Sequence, residues 1–73
     1  MSISDAEELV RNAVFEAWGM MLSRRLWNIT PLSDIGGRST EECARLEGHL
    51  GIVGITGSWT LNQLVEAVIK KNS

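Results

Sequence analysis

The residues whose types and spacing could do chemistry lie in Asp34-Ile35-Gly36-Gly37-Arg38-Ser39-Thr40 and in the stretch that runs on to His49. Two consecutive glycines permit backbone angles that other residues avoid and leave the approach to Ser39 free of bulk, so its hydroxyl is expected to be presented to other molecules. Ser39-Thr40-Glu41-Glu42 is also a capping box, in which the hydroxyl accepts from the amide near Glu42 while Glu42 reaches back. A functional role for the presented Ser39 hydroxyl and simple helix capping are both open at this residue. Cys43 falls on an apolar stripe, which predicts a buried and inert thiol. His49 falls near a helix C-terminus, where a charged imidazole is favoured, and no serine or cysteine stands at a useful spacing to make it a catalytic base. With one cysteine and one histidine, no internal disulfide and no complete Cys/His metal shell can form.

The totals bound what this segment can be part of. A chain of 73 residues is expected to be a single domain over 1–73, with a core that leaves roughly 3–5 kcal/mol of net stability and no room for a buried enzyme cleft. Hydrophobic content of 44% and charged content of 22% suit a folded protein rather than a disordered one. The net charge is -2 and the basic residues are scattered apart from Arg24-Arg25 and Lys70-Lys71, which argues against nucleic acid as a partner. Asp5, Glu7 and Glu8 stand where a signal peptide would be basic, and no apolar run is long enough to span a bilayer. A cytoplasmic monomer with no membrane association is expected.

Three helices are expected to position the segment. Ser4-Asp5-Ala6-Glu7 reads as a capping box opening a helix over residues 4–23, with Val10, Ala13, Val14, Ala17, Trp18 and Met21 as its buried stripe and Arg24-Arg25 at its negative end. Residues 24–38 lack a helical period and contain Pro31, so they are expected to form a long ordered loop with room for one helical turn, packed down by Leu26, Trp27, Ile29, Leu32 and Ile35. The second helix begins at Ser39 or Thr40, buries Cys43, Leu46 and Leu50, keeps Glu41, Glu42, Arg45 and Glu47 on its wet side, and stops at Gly51. Residues 52–58 suit a turn of helix or an extended link equally. Thr60-Leu61-Asn62-Gln63 caps a last helix that buries Leu61, Leu64, Val65, Val68 and Ile69, with Lys70 and Lys71 at its end. Trp18 belongs with the core, whereas Trp27 and Trp59 flank loops, where they pack or line a groove. The product is an all-α bundle of three helices with a possible short fourth.

In its order of parts the chain resembles the acyl and peptidyl carrier proteins. The resemblance rests on Asp34-Ile35-Gly36-Gly37-Arg38-Ser39, on the preceding Ile29-Thr30-Pro31-Leu32, on the helix end Leu50-Gly51-Ile52, and on Trp59-Thr60-Leu61-Asn62-Gln63-Leu64. It covers nearly the whole chain. Arg38 stands where that family usually has an acidic residue or histidine, Thr40 where it has an apolar one, and the second helix is about one turn short. The resemblance implies a 4'-phosphopantetheine arm attached to Ser39, with Asp34, Gly36, Gly37 and Arg38 around the attachment point and no catalysis by the protein itself. It further implies a phosphopantetheinyl transferase and acyl- or aminoacyl-loading and synthase enzymes of a fatty acid, polyketide or nonribosomal peptide pathway as partners, met by Thr40, Glu41, Glu42 and Arg45. The Gly36-Gly37 pair leans toward peptidyl carriers. The alternative is a carrier-like fold in which Ser39 stays unmodified and the Arg38 face serves as a protein-interaction module.

Overall fold

A computed structural model describes residues 1–72. It contains three α-helices, α1 (Ile3–Trp18), α2 (Thr40–Leu50) and α3 (Leu61–Lys71), each opened by a hydroxyl-bearing residue in extended backbone. Such a side chain takes up an amide that the first helical turn would otherwise leave without a partner. For α1 that residue is Ser2, whose Oγ accepts from the Asp5 amide at 3.1 Å, rather than Ser4.

α1 is shorter than its apolar pattern suggests. Gly19 takes the left-handed conformation at φ 69°, and its amide donates to the Phe15 carbonyl at 2.8 Å, so the helix ends at Trp18 instead of residue 23. A glycine adopts this geometry without steric cost, which outweighs the continuing apolar period. Met21, expected on the buried stripe, is consequently 58% exposed. Arg24 and Arg25 do not end α1; they belong to a separate 3-10 turn, Arg24–Leu26, from which Arg24 pairs with Glu7 at 2.7 Å.

The long loop is ordered and holds two helical turns rather than one, the second being Leu32–Asp34. Trp27, Leu32 and Ile35 are buried as expected, but Ile29 is 70% exposed and packs nothing down. Trp27 is a core residue, not a loop flank: it is 1% exposed and its indole Nε1 donates to the Leu22 carbonyl at 2.9 Å. The guanidinium groups of Arg11 and Arg24 lie 5.1 and 4.8 Å from the centre of its ring, where the quadrupole attracts cations.

α1 packs against both α2 and α3. Its face of Ala6, Val10, Ala13, Val14 and Ala17 meets Cys43, Leu46 and Leu50 of α2 and Leu61, Leu64, Val65 and Val68 of α3 in one core. Between α2 and α3, residues 52–58 form a non-helical link with Ile55 buried. The link runs beside the long loop, the Leu32 amide donating to the Trp59 carbonyl at 2.7 Å and the Ser33 amide to the Gly57 carbonyl at 2.9 Å. Among the described residues there is no fourth α-helix, and an isolated bridge between Pro31 and Thr60 replaces any strand. No helix of the described residues is long and apolar enough to cross a membrane.

Candidate functional site

Ser39 is the N-cap of α2, in extended backbone at φ -131° and ψ 164°. Its Oγ accepts from the Glu42 amide at 3.2 Å and donates to the Glu42 carboxylate Oε1, also at 3.2 Å. The local cap therefore forms as expected, but Glu42 returns to the hydroxyl and not to the backbone amide of Ser39. Ser39, Thr40 and Glu41 are exposed, so this turn is open to an approaching molecule, although both hydrogen bonds of the hydroxyl go to Glu42.

That openness does not come from the glycines. Gly36 and Gly37 are buried, and their lack of side chains accommodates Trp18. A Cβ at Gly36 would lie 2.6 Å from Trp18 Cδ2, and one at Gly37 would lie 3.1 Å from Trp18 Cη2 and from Leu32 Cβ. Gly36 also has φ 152°, a conformation L side chains rarely adopt. The pair admits an indole from within the protein, correcting the expectation that it clears a path for another molecule. Trp18 is half-buried and its Nε1 donates to the Glu42 carbonyl at 3.2 Å, tying the end of α1 to the first turn of α2.

Beside Ser39 lies an open groove of about 650 Å³ between the start of α2 and the link at residues 55–57. Gly37, Arg38, Ser39 and Thr40 border it, while Asp34, Gly36, Glu41, Glu42 and Arg45 do not. Asp34 is exposed on the second 3-10 turn, and Glu41 and Arg45 are exposed on α2. Cys43 and Ile55, 6% and 5% exposed, supply the apolar floor. Burial, with the negative charges of Glu47 and then Glu42, pushes the Cys43 thiol above its ordinary range, which keeps it protonated and inert as expected.

Glu47 was expected on the wet side of α2, yet it is half-buried and structural. Its Oε2 accepts from the amides of Gly54 at 2.7 Å and Ile55 at 3.0 Å, fastening the link to α2. Charge-assisted bonds of this kind are about twice as strong as neutral ones. Gly57 closes the other side, where an added Cβ would lie 2.7 Å from the Gly37 carbonyl oxygen. Sequence reasoning missed the wall formed by Ser33, Glu47, Thr56 and Gly57, for which the glycines of an undecided link were the available signal.

His49 is exposed in the last turn of α2, outside the groove. Neither Trp27 nor Trp59 borders the groove; Trp59 edges a separate depression with Gln63 and Lys70. Among the described residues no group of three or more His, Cys, Asp or Glu side chains could hold a metal ion. Comparison with known protein families, with curated proteins and with solved structures finds no match.

Proposed function

We propose that this chain is a carrier protein of carrier-like fold, holding an acyl or aminoacyl group at Ser39 for the enzymes of a biosynthetic pathway. The observation that carries this reading is the exposed Ser39 at the N-terminus of α2, at the rim of an open groove of about 650 Å³. When bound, a 4'-phosphopantetheine arm supplies a terminal thiol that holds such a group as a thioester.

The residues present fit the arm. A phosphate on Ser39 Oγ would stand at the positive end of α2, whose first amides are without intrahelical partners, and beside the exposed Arg38, with the Glu42 carboxylate, now 3.2 Å from that hydroxyl, turned away to make room for it. Hydroxyls of Ser33, Thr40 and Thr56 border the groove beyond it, suited to the amide groups of the arm. Attachment would join Ser39 Oγ to the β-phosphorus of coenzyme A, with the pyrophosphate bond breaking, adenosine 3',5'-bisphosphate leaving and the hydroxyl proton passing to the transferase. The chain contributes position, and tethering raises the local concentration of cargo. Thr40, Glu41, Glu42 and Arg45 then form a mixed-charge surface for the transferase and for loading and synthase enzymes, in a cytoplasmic setting.

A second reading is favoured by the pair of hydrogen bonds between Ser39 and Glu42, which already occupy the hydroxyl. In it the fold is an unmodified interaction module. Incubation with coenzyme A and a broad-specificity phosphopantetheinyl transferase, followed by intact-mass measurement, separates the two. The carrier reading expects the mass of one arm on the wild type and none on Ser39→Ala. No gain on the wild type, with the transferase active on a control carrier, would favour the interaction module.

A further inference from the structure

Resting on the carrier reading, we infer that Glu42 is a gate on Ser39: its carboxylate holds the hydroxyl in the unmodified protein and slows attachment, because it must swing off before a phosphate can arrive. The hydrogen bonds give it that part. Glu42 Oε1 accepts from Ser39 Oγ at 3.2 Å, and the Glu42 amide donates to the same oxygen at 3.2 Å. Capping needs only the second of these bonds. At the start of α3, which buries its first residues and has capping as its whole task, the side chain at the matching position, Gln63, goes to the backbone amide of Thr60 and not to the hydroxyl. At α2 the carboxylate sits on the hydroxyl instead, so a full negative charge stands where the β-phosphate of coenzyme A has to approach.

Only the side chain has to move. The Glu42 backbone is pinned on both sides, its amide on Ser39 Oγ and its carbonyl accepting from Trp18 Nε1 at 3.2 Å, so the first turn of α2 stays formed while the carboxylate rotates. Arg45, exposed and three residues on, stands where side chains of one helix face meet, and among the described residues it forms no ion pair. It is the cation to which the displaced carboxylate passes, while Arg38 stays beside the phosphate. Glu42 remains a carboxylate throughout. Ser39 Oγ exchanges its O–H bond for the bond to phosphorus, and the proton leaves with the transferase. Repulsion between like charges is strongest at short range and low salt, so the gate slows attachment most at low ionic strength.

The test follows arm attachment by intact mass, with coenzyme A and a broad-specificity phosphopantetheinyl transferase, for wild type, Glu42→Gln, Glu42→Ala and Glu41→Gln, each first shown by thermal melting to be folded. Glu42→Gln keeps an acceptor for the hydroxyl but no charge, and Glu42→Ala removes both. Each should raise kcat/KM for attachment about fivefold or more at low salt, an advantage that shrinks as salt is added. Glu41→Gln takes the same charge from an exposed position in the same turn and should change the rate less than about twofold. A merely structural role for Glu42 would produce no gain that salt erases. Unchanged or slower attachment in both Glu42 variants, or an equal gain from Glu41→Gln, would overturn the gate and leave the carrier reading standing. Attachment to none of the four proteins, with the transferase active on a control carrier, would break the carrier reading itself and the gate with it.

Discussion

The starts of α2 and α3 are built on the same local plan and have opposite surroundings. Ser39 and Thr60 each accept from the amide three residues on, Glu42 and Gln63 respectively. At α3 the plan is complete, the Gln63 side chain taking the Thr60 amide at 2.8 Å, and the helix at once sinks Leu61 and Leu64 into the core. At α2 the corresponding positions are exposed Thr40 and buried but small Cys43, and the turn faces a groove. A hydroxyl cap is therefore no marker of a site. What distinguishes Ser39 is that the residues beside its cap do not bury it.

Substitutions can break or sharpen that contrast. The largest effect is expected for Leu64→Ala, which should cost about 2–5 kcal/mol in denaturant unfolding, enough to unfold much of so small a domain. Cys43→Ala, the matching position of α2, removes far less buried volume and should leave the protein folded. A Leu64→Ala melt like that of wild type would mean the start of α3 is not anchored as described.

Gly36→Ala tests the support beneath Ser39. The positive φ and the collision with Trp18 together should cost about 1–3 kcal/mol or more, read as a lowered midpoint and as Trp18 fluorescence moving toward that of an exposed indole. An unaffected protein would show that the glycines have no such packing role.

Removing the caps should cost about 1 kcal/mol each for Ser39→Ala and Thr60→Ala. Only the first should abolish attachment of an arm, which intact mass will show. Equal loss of attachment in both variants would erase the difference between the two helix starts.

The smallest effect concerns pH. Because folding raises the Cys43 thiol above its ordinary value, the folded state holds that proton more tightly than the unfolded chain. Stability from this source is fully present below the unfolded thiol value of about 8.5 and declines as pH rises toward the folded value. Unfolding free energies of wild type and Cys43→Ser should accordingly diverge in pH dependence only on the alkaline side.

Much of this architecture was legible because capping is local. Ser39, Gly51 and Thr60 mark their helix ends through bonds to residues three or four positions away, and α2 and α3 fall where those residues place them. The end of α1 was not legible, since the apolar pattern runs past Gly19 and only the backbone angle reveals the stop. The role of the Gly36-Gly37 pair was misread for a different reason: whether a glycine admits an outside molecule or an inside ring depends on what packs there. Trp18, far away in sequence, does.

By itself the sequence determined an all-helical chain, two of the three helix starts and a serine at the head of α2, because hydrogen-bonding caps and apolar periodicity act over one or two turns. The tertiary structure alone decided that the serine borders a groove. Its walls come from the long loop, the first two turns of α2 and the link at residues 55–57, joined by Glu47 to the Gly54 and Ile55 amides and by the close approach of Gly57 to Gly37. Contacts between segments so far apart depend on how α1 gathers the other helices, and no local pattern encodes them.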